Sequence, residues 1–227
     1  MELKSVVPWG RSLEEYRNIF MLSESDLNRN ILGCGDGPAS FNAEATALGK
    51  SVTSVDPVYT FTTQELQNRI NEVYEEIAAQ LEINKENYIW ETFKSVAEVF
   101  KARMFAMNIF LKDYENGKSS GRYIETGLPI LPFKNQQFSL ALCSHFLFLY
   151  SSHLNEDFHI QSIKELCRVA KEVRIYPLVT LTGELSPHLQ AVIENLNSHG
   201  CSAELKPVTY RFLKIANEML VVKYKNA

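Results

Sequence analysis

The sequence predicts an α/β fold: a doubly wound, mostly parallel seven-stranded sheet with an antiparallel C-terminal hairpin and a helical insertion after the second strand. Three observations predict it. Seven β-rich segments alternate with amphipathic helices for most of the 227 residues, the pattern of strands joined by crossovers. Asp56 and Tyr123 stand 67 positions apart, whereas a crossover needs about a dozen residues. The last two β-rich segments, ELKPVTYRF and NEMLVVKY, are joined only by LKIA, too short for a parallel return.

The elements follow in order. Residues 12–22 carry Leu13, Tyr16, Ile19 and Phe20 at helical spacing, with Ser12 as cap. Asn30 to Leu32 reads as a strand that runs into the turn GCGDGP. Residues 39–48 read as a helix stopped by Gly49, and 51–56 as a β-branched strand. The insertion spans about 63–117. Its first helix, within 64–82, aligns Leu66, Ile70, Val73, Ile77 and Leu81 in one stripe. Its second, 85–116, follows Asn84 and closes at Gly117. That helix is apolar on more than one face, through residues such as Trp90, Phe100, Phe105 and Phe110. Core packing, a lid over a pocket and a subunit face are all compatible with this. Strands are expected at 122–126 and 138–144. A helix capped by Asn155 follows at 156–170, then a strand at 172–181. Ser186-Pro187 opens a helix that Gly200 ends, and the hairpin completes the chain.

Composition excludes several classes. Twenty-three basic against 27 acidic residues give a net charge of −4, not the footprint of a nucleic-acid partner. No apolar run reaches the roughly 18 residues of a membrane span. The start shows no secretion signal, so a cytoplasmic location is expected. Cys34, Cys143, Cys167 and Cys201 form no C-x-x-C pair, so reduced, buried thiols and no metal site are expected.

The chemistry concentrates at Gly33-Cys34-Gly35-Asp36-Gly37, between a strand and a helix. Three glycines in five residues let backbone and ligand approach closely, and the following helix N-terminus favours an anion. Asp56 ends the next strand 19 residues after Gly37, where a carboxylate can accept from both hydroxyls of a ribose. A dinucleotide fingerprint would need a small residue where Pro38 stands.

G-x-G-x-G before a helix instead resembles the first motif of class I S-adenosylmethionine-dependent methyltransferases. SVDPVY resembles the ribose-binding strand end of that family. LPFKNQQFSLALCSH resembles its fourth strand, and the terminal hairpin its last strand pair. The resemblance covers 29–62 and 122–227, leaves out the insertion, and implies a single methyltransferase-like domain over 1–227. More narrowly, the chain resembles bacterial stand-alone members of unassigned substrate.

The resemblance implies S-adenosyl-L-methionine as cofactor. Gly33, Cys34, Gly35, Asp36 and Gly37 would cradle its methionine part, and Asp56 would bind the ribose. Pro57 and Val58 would pack on adenine, while Ser144, His145 and Phe146 would face the sulfonium and the acceptor. Arg11 would pair with the methionine carboxylate, beside Tyr16. Gly127 stands where many members carry an acidic residue for the adenine amino group, with Glu125 and Thr126 as substitutes nearby.

His145 is the candidate catalytic base, with a structural histidine as the alternative. The apolar run SHFLFLY favours a small apolar or aromatic acceptor, in a monomer or homodimer. Two other functions stay open: a cofactor-binding regulatory protein without turnover, and a dinucleotide-dependent oxidoreductase.

Overall fold

A computed structural model describes residues 7–225. The strands are β1 (Asn30–Cys34), β2 (Ser51–Val55), β3 (Tyr123–Ile124), β4 (Leu140–Ser144), β5 (Glu172–Tyr176), β6 (Cys201–Pro207) and β7 (Glu218–Tyr224). The helices are α1 (Leu13–Phe20), α2 (Glu24–Leu27), α3 (Phe41–Ala47), α4 (Thr63–Ile83), α5 (Val96–Ser119), α6 (Glu156–Val169) and α7 (Leu189–Ser198).

The strands form one sheet in the order β3-β2-β1-β4-β5-β7-β6. β3 to β5 are parallel, and β7 runs antiparallel to both β5 and β6, as expected. β1 pairs with both β2 and β4, so Cys34 lies level with Val55 and Cys143. The strand order reverses at β1, and a crevice opens there beyond the carboxyl ends.

Side-chain alternation builds a core on each face. Ile31, Leu140 and Leu142 pack with Phe20 of α1 and Phe41 of α3. Their neighbours Leu32, Ala141 and Cys143 pack with Ile163 of α6 and Val192 of α7. This two-residue period is the reason the parallel strands read as continuous apolar runs. The four cysteine thiols are free and buried. Among the described residues, no helix is long and apolar enough to cross a membrane, and no His/Cys/Asp/Glu cluster is arranged to hold a metal.

Five expectations are corrected. The second insertion helix starts at Val96 rather than 85, with the Ser95 side chain accepting from the Glu98 amide. Residues 87–89 instead pair with 212–214: the Ile89 amide donates to the Phe212 carbonyl over 2.7 Å, and the Lys214 amide to the Asn87 carbonyl over 3.0 Å. Gly117 does not close that helix but lies inside it. A Cβ there would stand 2.3 Å from the Tyr123 ring, so the glycine is a packing site for that ring.

The expected strand 172–181 stops at Tyr176, because Pro177 has no amide to continue the ladder. The helix after Ser186-Pro187 starts at Leu189, and the Ser186 hydroxyl accepts from the His188 amide in the preceding turn. The final hairpin pairs 201–207 with 218–224, so residues 208–217 leave the sheet and turn toward the insertion.

Candidate functional site

A cavity of about 280 Å³ opens at the carboxyl ends of β1, β2 and β4. Its walls include Arg11, Tyr16, Cys34, Gly35, Asp36 and Gly37, then Asp56, Pro57 and Val58, then Ser144, His145 and Phe146. Twelve of the thirteen residues singled out from sequence therefore meet around one space. Gly33 does not line it. A Cβ at Gly33 would stand 1.8 Å from Asp36 Oδ2, so this glycine makes room for the Asp36 carboxylate behind the turn. Glu125 and Thr126 also stay out of the wall, and the Gly127-Leu128 backbone forms that side.

The glycine turn is fixed by its own geometry. Gly35 (φ 68°) and Gly37 (φ 50°) occupy the left-handed region that favours glycine. A Cβ at Gly35 would meet Phe146 at 3.0 Å, so the two loops touch at that point. Asp36 faces inward: its Oδ1 accepts from the Tyr16 hydroxyl at 2.7 Å and its Oδ2 from the Ser54 hydroxyl at 2.6 Å. Burial pushes the Asp36 carboxyl up to about 6, against the pull of those two donors. Burial also raises Asp56, whose oxygens accept from the Gly37 amide at 2.8 Å and the Val58 amide at 2.9 Å. Each Asp56 oxygen keeps a further lone pair, as a carboxylate has about four acceptor positions.

Arg11 is the one Lys or Arg side chain in the wall, and it makes no ion pair among the described residues. Nη1 donates to the Trp9 carbonyl at 3.1 Å, while the buried Nε has no partner. Burial, and then the Arg103 guanidinium, lower the Arg11 pKa. Arg103 was not legible as special in sequence. It is wholly buried, donates to Glu15 and over 3.2 Å to the Tyr210 hydroxyl, and so joins α5 to α1 and to the 208–217 segment. Glu15 is thereby already engaged, and the Arg11 Nε is left without a hydrogen-bond partner.

His145 adopts φ 52°, a strained value for a residue with a Cβ. Its amide donates to the Tyr176 carbonyl over 2.6 Å, and Nδ1 lies 2.9 Å from the Ser144 hydroxyl. Burial drives its pKa well below 6.5, with the Arg11 and Arg103 charges adding to the effect. The ring is therefore neutral at pH 7, its orientation fixed by Ser144.

Beyond Gly127, most of the remaining wall residues were not singled out from sequence. Ile77, Leu81 and Tyr88 come from the insertion, Leu149, Tyr150 and Leu181 from loops after β4 and β5, and Phe212 and Leu213 from the segment that leaves the hairpin. The insertion thus packs into the core and also roofs part of the cavity. The apolar run at 144–150 was a signal for Leu149 and Tyr150, whereas the roles of Phe212 and Leu213 were hidden by the strand reading.

No family model matches the chain. The uncharacterized protein MJ0045 of the archaeon Methanocaldococcus jannaschii is 33% identical over 224 residues, which is 98% of each chain. The chain belongs to the MJ0045 family. The sequence pointed to a bacterial type, whereas this relative is archaeal. Among solved structures, WbdD, described as a bifunctional kinase-methyltransferase, aligns with 93% of this chain at a TM-score of 0.50 and 12% identity. This chain spans only 40% of the WbdD chain's length. A TehB-like SAM-dependent methyltransferase from Corynebacterium glutamicum aligns over 93% of this chain and 87% of its own, at 13% identity and a TM-score of 0.47. The WbdD likeness concerns the fold alone: this chain has an α/β methyltransferase-like architecture.

Proposed function

We propose that the chain is an S-adenosylmethionine-dependent methyltransferase acting on a small apolar or aromatic acceptor. One observation carries the reading: an unpaired arginine and an acidic strand end share one cavity beyond β1, β2 and β4. The orphaned Arg11 Nε fits a carboxylate, and the Asp56 oxygens fit a ribose diol. The shared fold with WbdD, described as a bifunctional kinase-methyltransferase, supports the reading.

When bound, S-adenosylmethionine would supply a methyl group made electrophilic by its positive sulfur. The task of the chain is to hold and align. Arg11 would hold the carboxylate end, Asp56 the ribose, and Pro57 and Val58 the adenine. Cys34, Gly35 and Gly37 would cradle the methionine part with backbone, while Tyr16 and Asp36 hold that backbone in place. Ser144 and Phe146 would flank the acceptor. Neutral His145, in the tautomer whose Nδ1–H donates to the Ser144 hydroxyl, would take a proton at Nε2 from a hydroxyl acceptor.

Native mass spectrometry of freshly purified protein tests the reading by detecting a co-purified adenosyl compound. Calorimetry with S-adenosylhomocysteine and NAD follows. Binding of the first alone is expected, and binding of NAD alone would replace the reading with an oxidoreductase. Cofactor binding with no methylated product from a broad metabolite extract would favour the regulatory function.

A further inference from the structure

Three hydrogen bonds join His145 to the glycine turn in one line. Its Nδ1 lies 2.9 Å from the Ser144 hydroxyl. The Ser144 side chain is hydrogen-bonded in turn to the Tyr16 hydroxyl. That hydroxyl lies 2.7 Å from Asp36 Oδ1. The line therefore runs from the end of β4, through α1, to the turn after β1.

Counting protons gives the line its direction. At pH 8 the Asp36 carboxyl, pushed up to about 6 by burial, is ionised and can only accept. Its other oxygen accepts from the Ser54 hydroxyl over 2.6 Å. Burial, and then the Asp36 charge, raise the Tyr16 phenol well above its ordinary value, so Tyr16 keeps its proton and donates it to Asp36. The Tyr16 oxygen is then left to accept, and Ser144 has one proton to donate there. With that proton committed, the Ser144 oxygen accepts, and Nδ1–H is the donor that faces it. Three contacts need three protons. The Nε2–H tautomer would bring two and leave a pair of lone pairs opposed inside the protein, an unmade buried hydrogen bond. His145 lines the cavity, and among the described residues its Nε2 has no hydrogen-bond partner.

We propose that Asp36 and Tyr16 are positioning residues for His145: acting through Ser144, they hold its ring in the Nδ1–H tautomer and leave the Nε2 lone pair for a ligand in the cavity. No proton travels along the line; it sets which ring nitrogen is bare. The use of Nε2 as a base rests on the methyltransferase reading, whereas the tautomer does not.

The test is long-range 1H–15N NMR of the full chain, labelled at its histidines, at pH 8, with His145→Asn to assign the signals. Burial keeps the His145 ring neutral at that pH. The native ring should show a protonated Nδ1 and a bare Nε2. Tyr16→Phe keeps the ring that stacks on Phe41 at 4.3 Å and removes the hydroxyl. The freed Ser144 proton should then turn to Nδ1, and the ring should switch to the Nε2–H tautomer. Ser144→Ala serves if Tyr16→Phe fails to fold by circular dichroism, and should give the same switch because Nδ1–H loses its acceptor. A native Nε2–H ring, or a folded variant that retains the native tautomer, would overturn the proposal. S-adenosylhomocysteine affinity is measured separately by calorimetry. Failure of the native chain to bind it would sink only the methyltransferase reading and leave the tautomer result standing.

Discussion

The Tyr16 hydroxyl donates to Asp36 Oδ1 over 2.7 Å and fastens α1 to the glycine turn. Because burial lifts Asp36 from 3.8 to about 6, the folded chain retains a proton that the unfolded chain releases. Stability from this group is full below pH 4 and falls as pH rises to about 6, by roughly 3 kcal/mol in all. Asp36→Asn should remove that slope. Urea unfolding of native and variant chains at pH 4 and pH 7 measures it, and parallel pH dependences would contradict the assignment.

Asp56→Ala should weaken S-adenosylhomocysteine binding by about 1.5–3 kcal/mol, the range for hydrogen bonds to a charged group. The variant also loses acceptors for the Gly37 and Val58 amides, so folding is checked by near-ultraviolet circular dichroism. Unchanged affinity in a folded variant would remove Asp56 from the site.

Arg11→Met separates the two ends of the cofactor. Affinity for S-adenosylhomocysteine should fall by about 1.5–3 kcal/mol as a charge-assisted bond is lost. Affinity for methylthioadenosine, which lacks the carboxylate, should stay the same. Equal losses for both ligands would show that Arg11 acts on the cavity as a whole.

His145→Ala should slow methyl transfer about a hundredfold or more with cofactor affinity unchanged. Since the histidine pKa lies well below 6.5, the native rate should be flat from pH 6.5 upward with respect to this group. It should decline only as acid protonates the ring. An identical rate in the variant would leave His145 with a structural role.

The sheet was legible because its strands keep a strict alternation between two cores and its loops carry glycine, proline and asparagine signals. The turn at 33–37 and Asp56 were legible for the same reason: local backbone demands single out those residue types. Arg103 was not, because its partners Glu15 and Tyr210 lie 88 and 107 positions away and nothing local distinguishes a buried arginine from a solvated one. Phe212 was hidden too. Its neighbourhood reads as strand, yet the backbone pairing it finds is with residues 87–89, far off in the chain. Gly117 misled in the opposite sense, since a helix-ending residue type was placed where an aromatic ring needed room.

The link from Glu15 to Arg103 bears on how this lineage can change. Excising the excursion between β2 and β3 to leave a minimal scaffold would strand an acidic group inside α1 and bare the apolar surface around it. The appendage and the opening helix must be inherited, redesigned or transplanted together.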